Sequence, residues 1–144
     1  MALGDDQYLV IAQKRTNRFV QFAGQGRFGM RIEVVSNQFL DPHKRLSRAQ
    51  ESELMALGWH PPTYVRRALP GEPTDGSCNY YIDAATPVPV ELVARLAVYT
   101  LQRVFGVRHP GDLEYRAYGD EGGECGFSQL GVARARDEEG DQVQ

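Results

Sequence analysis

Apolar and polar positions alternate along three consecutive runs near the start of the chain. Tyr8 to Gln13 reads YLVIAQ, and Phe19 to Ala23 sets Val20 and Phe22 against Phe19, Gln21 and Ala23. Phe28 to Ser36 sets Phe28, Met30, Ile32 and Val34 against Gly29, Arg31, Glu33 and Val35. A period of two belongs to a strand with one face on a core. Only short turns separate the runs, so the pattern predicts three antiparallel strands in a meander.

The period then lengthens. Ser47-x-x-Gln50 fits a capping box, with Glu51 and Glu53 near the positive end of a helix whose buried face is Leu54, Met55 and Leu57. Gly58 is placed to end it, Trp59 to fold back on its last turn, and His60-Pro61-Pro62 to prevent continuation. Residues 61–79 hold four of the eight prolines and read as a long surface loop. Asn79 to Ala84 is a fourth strand. Pro89 to Phe105 is the longest helix, with Val90, Val93, Ala97, Leu101 and Val104 facing the sheet and Glu91, Arg95, Tyr99 and Gln102 facing solvent. Leu113 to Tyr118 is a fifth strand.

The order is therefore β-β-β-α-β-α-β, an α+β fold in which an antiparallel sheet of about five strands carries two helices on one face. Residues 1–118 make one domain. Residues 119–144 read as an acidic, glycine-containing tail, mobile by composition, in which Phe127, Leu130 and Val132 are the candidates for local docking. With only Met1 to Gln7 before it, Tyr8–Gln13 is expected to be an edge strand, Leu113–Tyr118 being the other candidate. Glu114 and Arg116 blunt the latter, whereas Tyr8 to Ala12 carries no charge. A two-fold homodimer through the open sheet or the first-strand edge is the expected assembly.

Composition narrows the function classes. A chain of 144 residues, 42% apolar and 24% charged, is ordinary globular material with one core. The apolar-rich run Val88 to Val107 is interrupted by Glu91, Arg95, Gln102 and Arg103, so no membrane span is expected. Met1 to Gln7 lacks the features of a signal peptide, and Cys78 and Cys125 form no C-x-x-C, which suits reduced thiols in the cytoplasm. The net charge of −3 divides into seven acids against two arginines in 119–144, and a nearly neutral remainder without a basic stripe. Nucleic acid is therefore not the expected partner.

Candidate chemistry is sparse. Gly24-x-Gly26-x-x-Gly29 spells a dinucleotide fingerprint, but a strand follows it where a helix is required, so a hairpin turn is expected. The kinase alternative lacks its strand lysine, catalytic loop and D-F-G. His43, His60 and His109 share no ligand spacing, Cys78 and His60 have nothing local to pair them, and Gly126 to Gly131 misses a nucleophile elbow by one residue. No catalytic grouping, metal set or cofactor site emerges, so an enzyme is not expected. What stands out is a sheet face mixing aromatics with Gln21, Arg31 and Glu33, a surface suited to holding peptide segments. Phe19, Gln21, Arg31 and Glu33, with Trp59, are the candidate peptide-binding residues.

Several blocks coincide with a known group. RFVQFA at 18–23, EVVSNQFL at 33–40, L-x-x-L-G-W-x-x-P at 54–62, Asn79 before a strand and VFGVRHP at 104–110 resemble the actinobacterial TY-Chap family. That family is similar in fold to the YbjN proteins and the type III secretion chaperones. The resemblance covers roughly residues 8–118. It implies an antiparallel sheet packed on helices, and a role as a peptide- or protein-binding chaperone or adaptor with an unidentified client. Relatives usually begin with a helix before the first strand. The alternative from the residues themselves is a small-molecule-sensing domain, with the loop 61–79 closing over a pocket beside Trp59.

Overall fold

A computed structural model describes residues 7–63 and 76–119, together with the backbone of Ala133 and Arg134. Its strands are β1 (Tyr8–Gln13), β2 (Phe19–Gly24), β3 (Met30–Val34), β4 (Tyr80–Ala84), β5 (Leu113–Tyr118) and β6 (Ala133–Arg134). They form one sheet in the order β4-β3-β2-β1-β5-β6. The first five are antiparallel to their neighbours, as the meander pattern requires, and the short β6 runs parallel to β5.

Register stacks the alternating residues into two faces. Leu9 lies opposite Phe22 and Ala117, Phe22 opposite Ile32, and Ile32 opposite Ile82. These positions, with Val20, Val34, Tyr80, Leu113 and Tyr115, make the core side of the sheet. The opposite parity carries Val10, Ala12, Phe19, Gln21, Arg31, Glu33, Tyr81, Asp83, Glu114 and Arg116.

Two helices cover the core side. Helix α1 (Arg48–Ala56) opens with the expected capping box: Gln50 N–H donates to Ser47 Oγ at 3.1 Å and Ser47 N–H donates to Gln50 Oε1 at 2.8 Å. It closes on a glycine motif in which Trp59 N–H bonds Leu54 O and Gly58 N–H bonds Met55 O, with Gly58 at φ +106°. That reversal swings Trp59 into the core, where it is 2% exposed.

The long helix departs from expectation in two ways. Helix α2 (Val90–Tyr99) does not continue as α-helix to Phe105 but gives way to a π turn over Thr100–Val104. At the junction the buried Thr100 hydroxyl donates to Leu96 O at 2.8 Å, competing with the backbone ladder. Side chains serve the carbonyls at its end: Gln50 Nε2 donates to Val104 O and Gln13 Nε2 to Phe105 O. Val90, expected in the buried face, is 42% exposed at the rim of a groove, while Val93, Ala97, Leu101 and Val104 are buried as expected.

A third correction concerns the sheet's edge. β1 is internal, flanked by β2 and β5, so it offers no edge for a partner copy. The Gly24-x-Gly26-x-x-Gly29 stretch is a hairpin connection, as expected, through a 3₁₀ turn over Gly26–Phe28. Gly29 has φ +106° and a side chain there would meet Ala84 O, so glycine is required where β3 passes β4.

Candidate functional site

The sheet face opposite the helices holds a cleft of about 470 Å³. Its shape follows from residue size. β1 presents the small side chains Val10 and Ala12 at the middle of the sheet, and larger residues stand on either side. Phe19 and Gln21 of β2 form one wall, and Glu114, Arg116 and Tyr118 of β5 the other. Lys14 and Asn17, in the β1–β2 turn, close one end. The result is a trough along β1 with an apolar floor and walls of mixed polarity.

Beyond Gln21 the same face is tied to the loop that precedes β4. Arg31 forks onto Asp83 with Nε at 2.8 Å and Nη2 at 2.9 Å, and its Nη1 donates to Gly76 O at 2.7 Å. The guanidinium lies 5.0 Å from the centre of the Tyr81 ring, and its hydrogen bond to Asp83 raises its pKa above the ordinary value. Glu33 accepts from Ser77 Oγ and, at 3.4 Å, from Gln21 Nε2. Thr63 N–H donates to Ser77 O at 2.8 Å, and Ser77 N–H returns to Thr63 Oγ1 at 2.9 Å. These bonds pin the described ends of the 61–79 loop to each other and to the face. Residues 64–75 lie outside the described residues.

The five candidate residues therefore separate into three groups. Phe19 and Gln21 line the trough. Arg31 and Glu33 share its face but spend their hydrogen-bonding groups on Asp83, Gly76, Ser77 and Gln21. Trp59 lies on the helical side, with Nε1 donating to Thr100 Oγ1 at 3.2 Å inside the core. The indole thus presents no surface to the small-molecule pocket expected beside it. Val10, Ala12, Lys14, Asn17, Glu114, Arg116 and Tyr118 belong to the trough but were not among the residues singled out from sequence. The alternation of LEYRAY does put Glu114, Arg116 and Tyr118 on one face. What it lacks is any sign that β5 lies beside β1.

Other polar groups have structural partners. His109 Nδ1 accepts from Gly111 N–H at 2.8 Å, and His60 packs against the Tyr81 ring with centroids 5.3 Å apart. Among the described residues no three His, Cys, Asp or Glu side chains are grouped to hold a metal, and no helix is long and apolar enough to cross a membrane. On the helical side, a second groove of about 180 Å³ separates α2 from β1 and β2.

No curated protein and no solved structure matches the chain. A family profile described as T3SS (YopN, CesT) and YbjN peptide-binding chaperone 3 matches residues 1–119, which takes in both helices, strands β1 to β5 and every described residue of the trough. The chain belongs to this family, the TY-Chap3 peptide-binding chaperones.

Proposed function

We propose that this protein is a non-enzymatic chaperone or adaptor of the bacterial cytoplasm that holds an extended segment of a client polypeptide in the trough along β1. The observation that carries the reading is the shape of the open face. Small side chains at Val10 and Ala12 leave a channel between the β2 and β5 walls, on the side of the sheet away from both helices. Membership of a peptide-binding chaperone family supports the same use.

Within the trough, Val10, Ala12 and Phe19 contact the client's apolar side chains. Gln21, Lys14 and Glu114 offer hydrogen bonds and charge at the walls. Arg31 and Glu33 act one step away: through Gln21 and Ser77 they hold the far end of the face in shape.

Filling the floor tests the reading. Val10→Arg places a long cation over the channel from a half-buried position on the open face, so the core beneath is undisturbed. Reduced, carboxymethylated α-lactalbumin, a permanently unfolded polypeptide, serves as probe in a fluorescence-anisotropy titration. The expected outcome is about a tenfold or greater loss of affinity, ~1.4 kcal/mol, with an unchanged melting temperature. Equal affinity in the two proteins would place the client elsewhere.

A further inference from the structure

β1 has a neighbour on each side, and this limits what can lie on the trough floor. It pairs with β2 through Tyr8 to Ala12 and with β5 through Tyr8 to Gln13. At its end Gln13 N–H donates to Arg18 O on the β2 side, and the next residue, Lys14, donates its N–H to Asp112 O on the β5 side. Ladder bonds run in the plane of a sheet, so with both neighbours in place β1 has no edge to which a client can add as a further strand. A segment over Val10 and Ala12 meets side chains only.

Such a floor suits an unusual backbone. An N–H turned toward Val10 or Ala12 leaves water and finds methyl groups, and a donor buried without a partner is destabilising. Proline carries no N–H. A run of prolines also holds the polyproline II form, which needs no internal hydrogen bonds and turns once in three residues. Its stiffness leaves little conformational freedom to lose on docking.

The aromatic side chains stand where that helix uses them. Phe19, on the β2 wall, lies opposite Ala12, and Tyr118, on the β5 wall, lies opposite Tyr8. The two rings thus flank the floor from opposite sides, about 13 Å apart along β1. Over that rise a polyproline II helix advances by about four residues, and residues four apart are turned ~120° from each other, one toward each wall. A β-strand sends residues four apart to the same side. Tyr118 is 47% exposed, with Tyr8 beside it at 38%. The Tyr118 hydroxyl and the Lys14 ammonium, at opposite ends of the trough, are donors for the carbonyls that a proline-rich chain has in excess.

We propose that the segment received by the trough is proline-rich and is held as a polyproline II helix, with its rings packed on Phe19 and Tyr118. This names the chemical class of the client and rests on the reading of the trough as the client site.

Two fluorescein-labelled peptides test it against the full chain by anisotropy: decaproline, and a Thr-Gln decamer that keeps an N–H at every residue. Decaproline should bind at least about tenfold more tightly than the Thr-Gln decamer. Tyr118→Ala, at an exposed position, should weaken decaproline about fivefold or more with an unchanged melting temperature. Val10→Arg should weaken it as well. Equal affinity for the two peptides, no binding of decaproline, or decaproline binding untouched by either substitution would overturn the proposal. The α-lactalbumin titration separates this from the broader reading. If Val10→Arg weakens α-lactalbumin while decaproline does not bind, the trough holds clients of another kind and the proline-rich class alone falls. If Val10→Arg changes the binding of neither probe, the trough is not the client site and both readings fall.

Discussion

Tyr80 shows how one side chain couples the sheet to a helix. Its hydroxyl donates to Glu51 Oε2 of α1 at 2.9 Å from a position 3% exposed. Burial first, then the hydrogen bond and the negative charge of Glu51, raise the phenol pKa well above its ordinary value. The folded state therefore keeps the phenol neutral at a pH where the unfolded chain ionises it, near ~10. A raised pKa contributes stability that is complete below the unfolded value and is lost as pH climbs through the folded one. The melting temperature should fall above about pH 10, and fall less steeply in Tyr80→Phe. Absorbance titration should show a late-ionising phenol that is missing from Tyr80→Phe. Identical alkaline declines in the two proteins would remove Tyr80 as the cause.

Side chains were legible in the sequence as far as parity carries. Alternation placed Phe19, Gln21, Arg31 and Glu33 on a common face, and the register keeps them there. Parity does not say which of them are already partnered. Asp83 and Gly76, which occupy Arg31, and Ser77, which occupies Glu33, come from a segment more than forty residues further along the chain. Trp59 after a terminal glycine was read correctly as folding back. The reversal, however, carries the indole to Thr100, which the local pattern gives no means of foreseeing.

Among the elements, those set by local chemistry match the sequence reading most closely. The capping box at Ser47 and Gln50, the reversal at Gly58 and the strand Leu113–Tyr118 all stand where the residues indicated. The π turn was not legible, because it depends on one hydroxyl bonding back to Leu96 and on two glutamines from distant elements. Leu101 lies in that turn, 5% exposed between the sheet and the helical layer. Leu101→Asp removes a large apolar contact and buries a carboxylate without a partner, so a loss of about 4 kcal/mol or more is expected. Circular dichroism at room temperature should find the variant unfolded or aggregated; a melting temperature equal to that of the parent would show that the turn does not pack as described.

At the scale of the molecule, the described residues form one sheet and one contiguous core, to which both helices and strands β1 to β5 contribute. A single core of this size unfolds as a unit. Trp59, the only tryptophan, reports on its centre, whereas far-ultraviolet dichroism reports on all backbone elements. The two thermal transitions should superimpose. A tryptophan signal that moves several degrees before the dichroism would mean that α1 and the π turn detach from a surviving sheet.

The pairing of β1 with β5 also bears on how the protein comes into being. Tyr8 lies opposite Tyr118, so a strand made early in synthesis waits for one made late. Until β5 leaves the ribosome, β1 is the border of an incomplete meander, and YLVIA offers unpaired amides and carbonyls with no charge to keep other chains away. Closure over such a sequence distance is slow compared with the formation of the β2–β3 hairpin. The nascent chain thus passes through an interval in which its most apolar strand is open to misassembly, and slow translation of the region between β4 and β5 lengthens that interval.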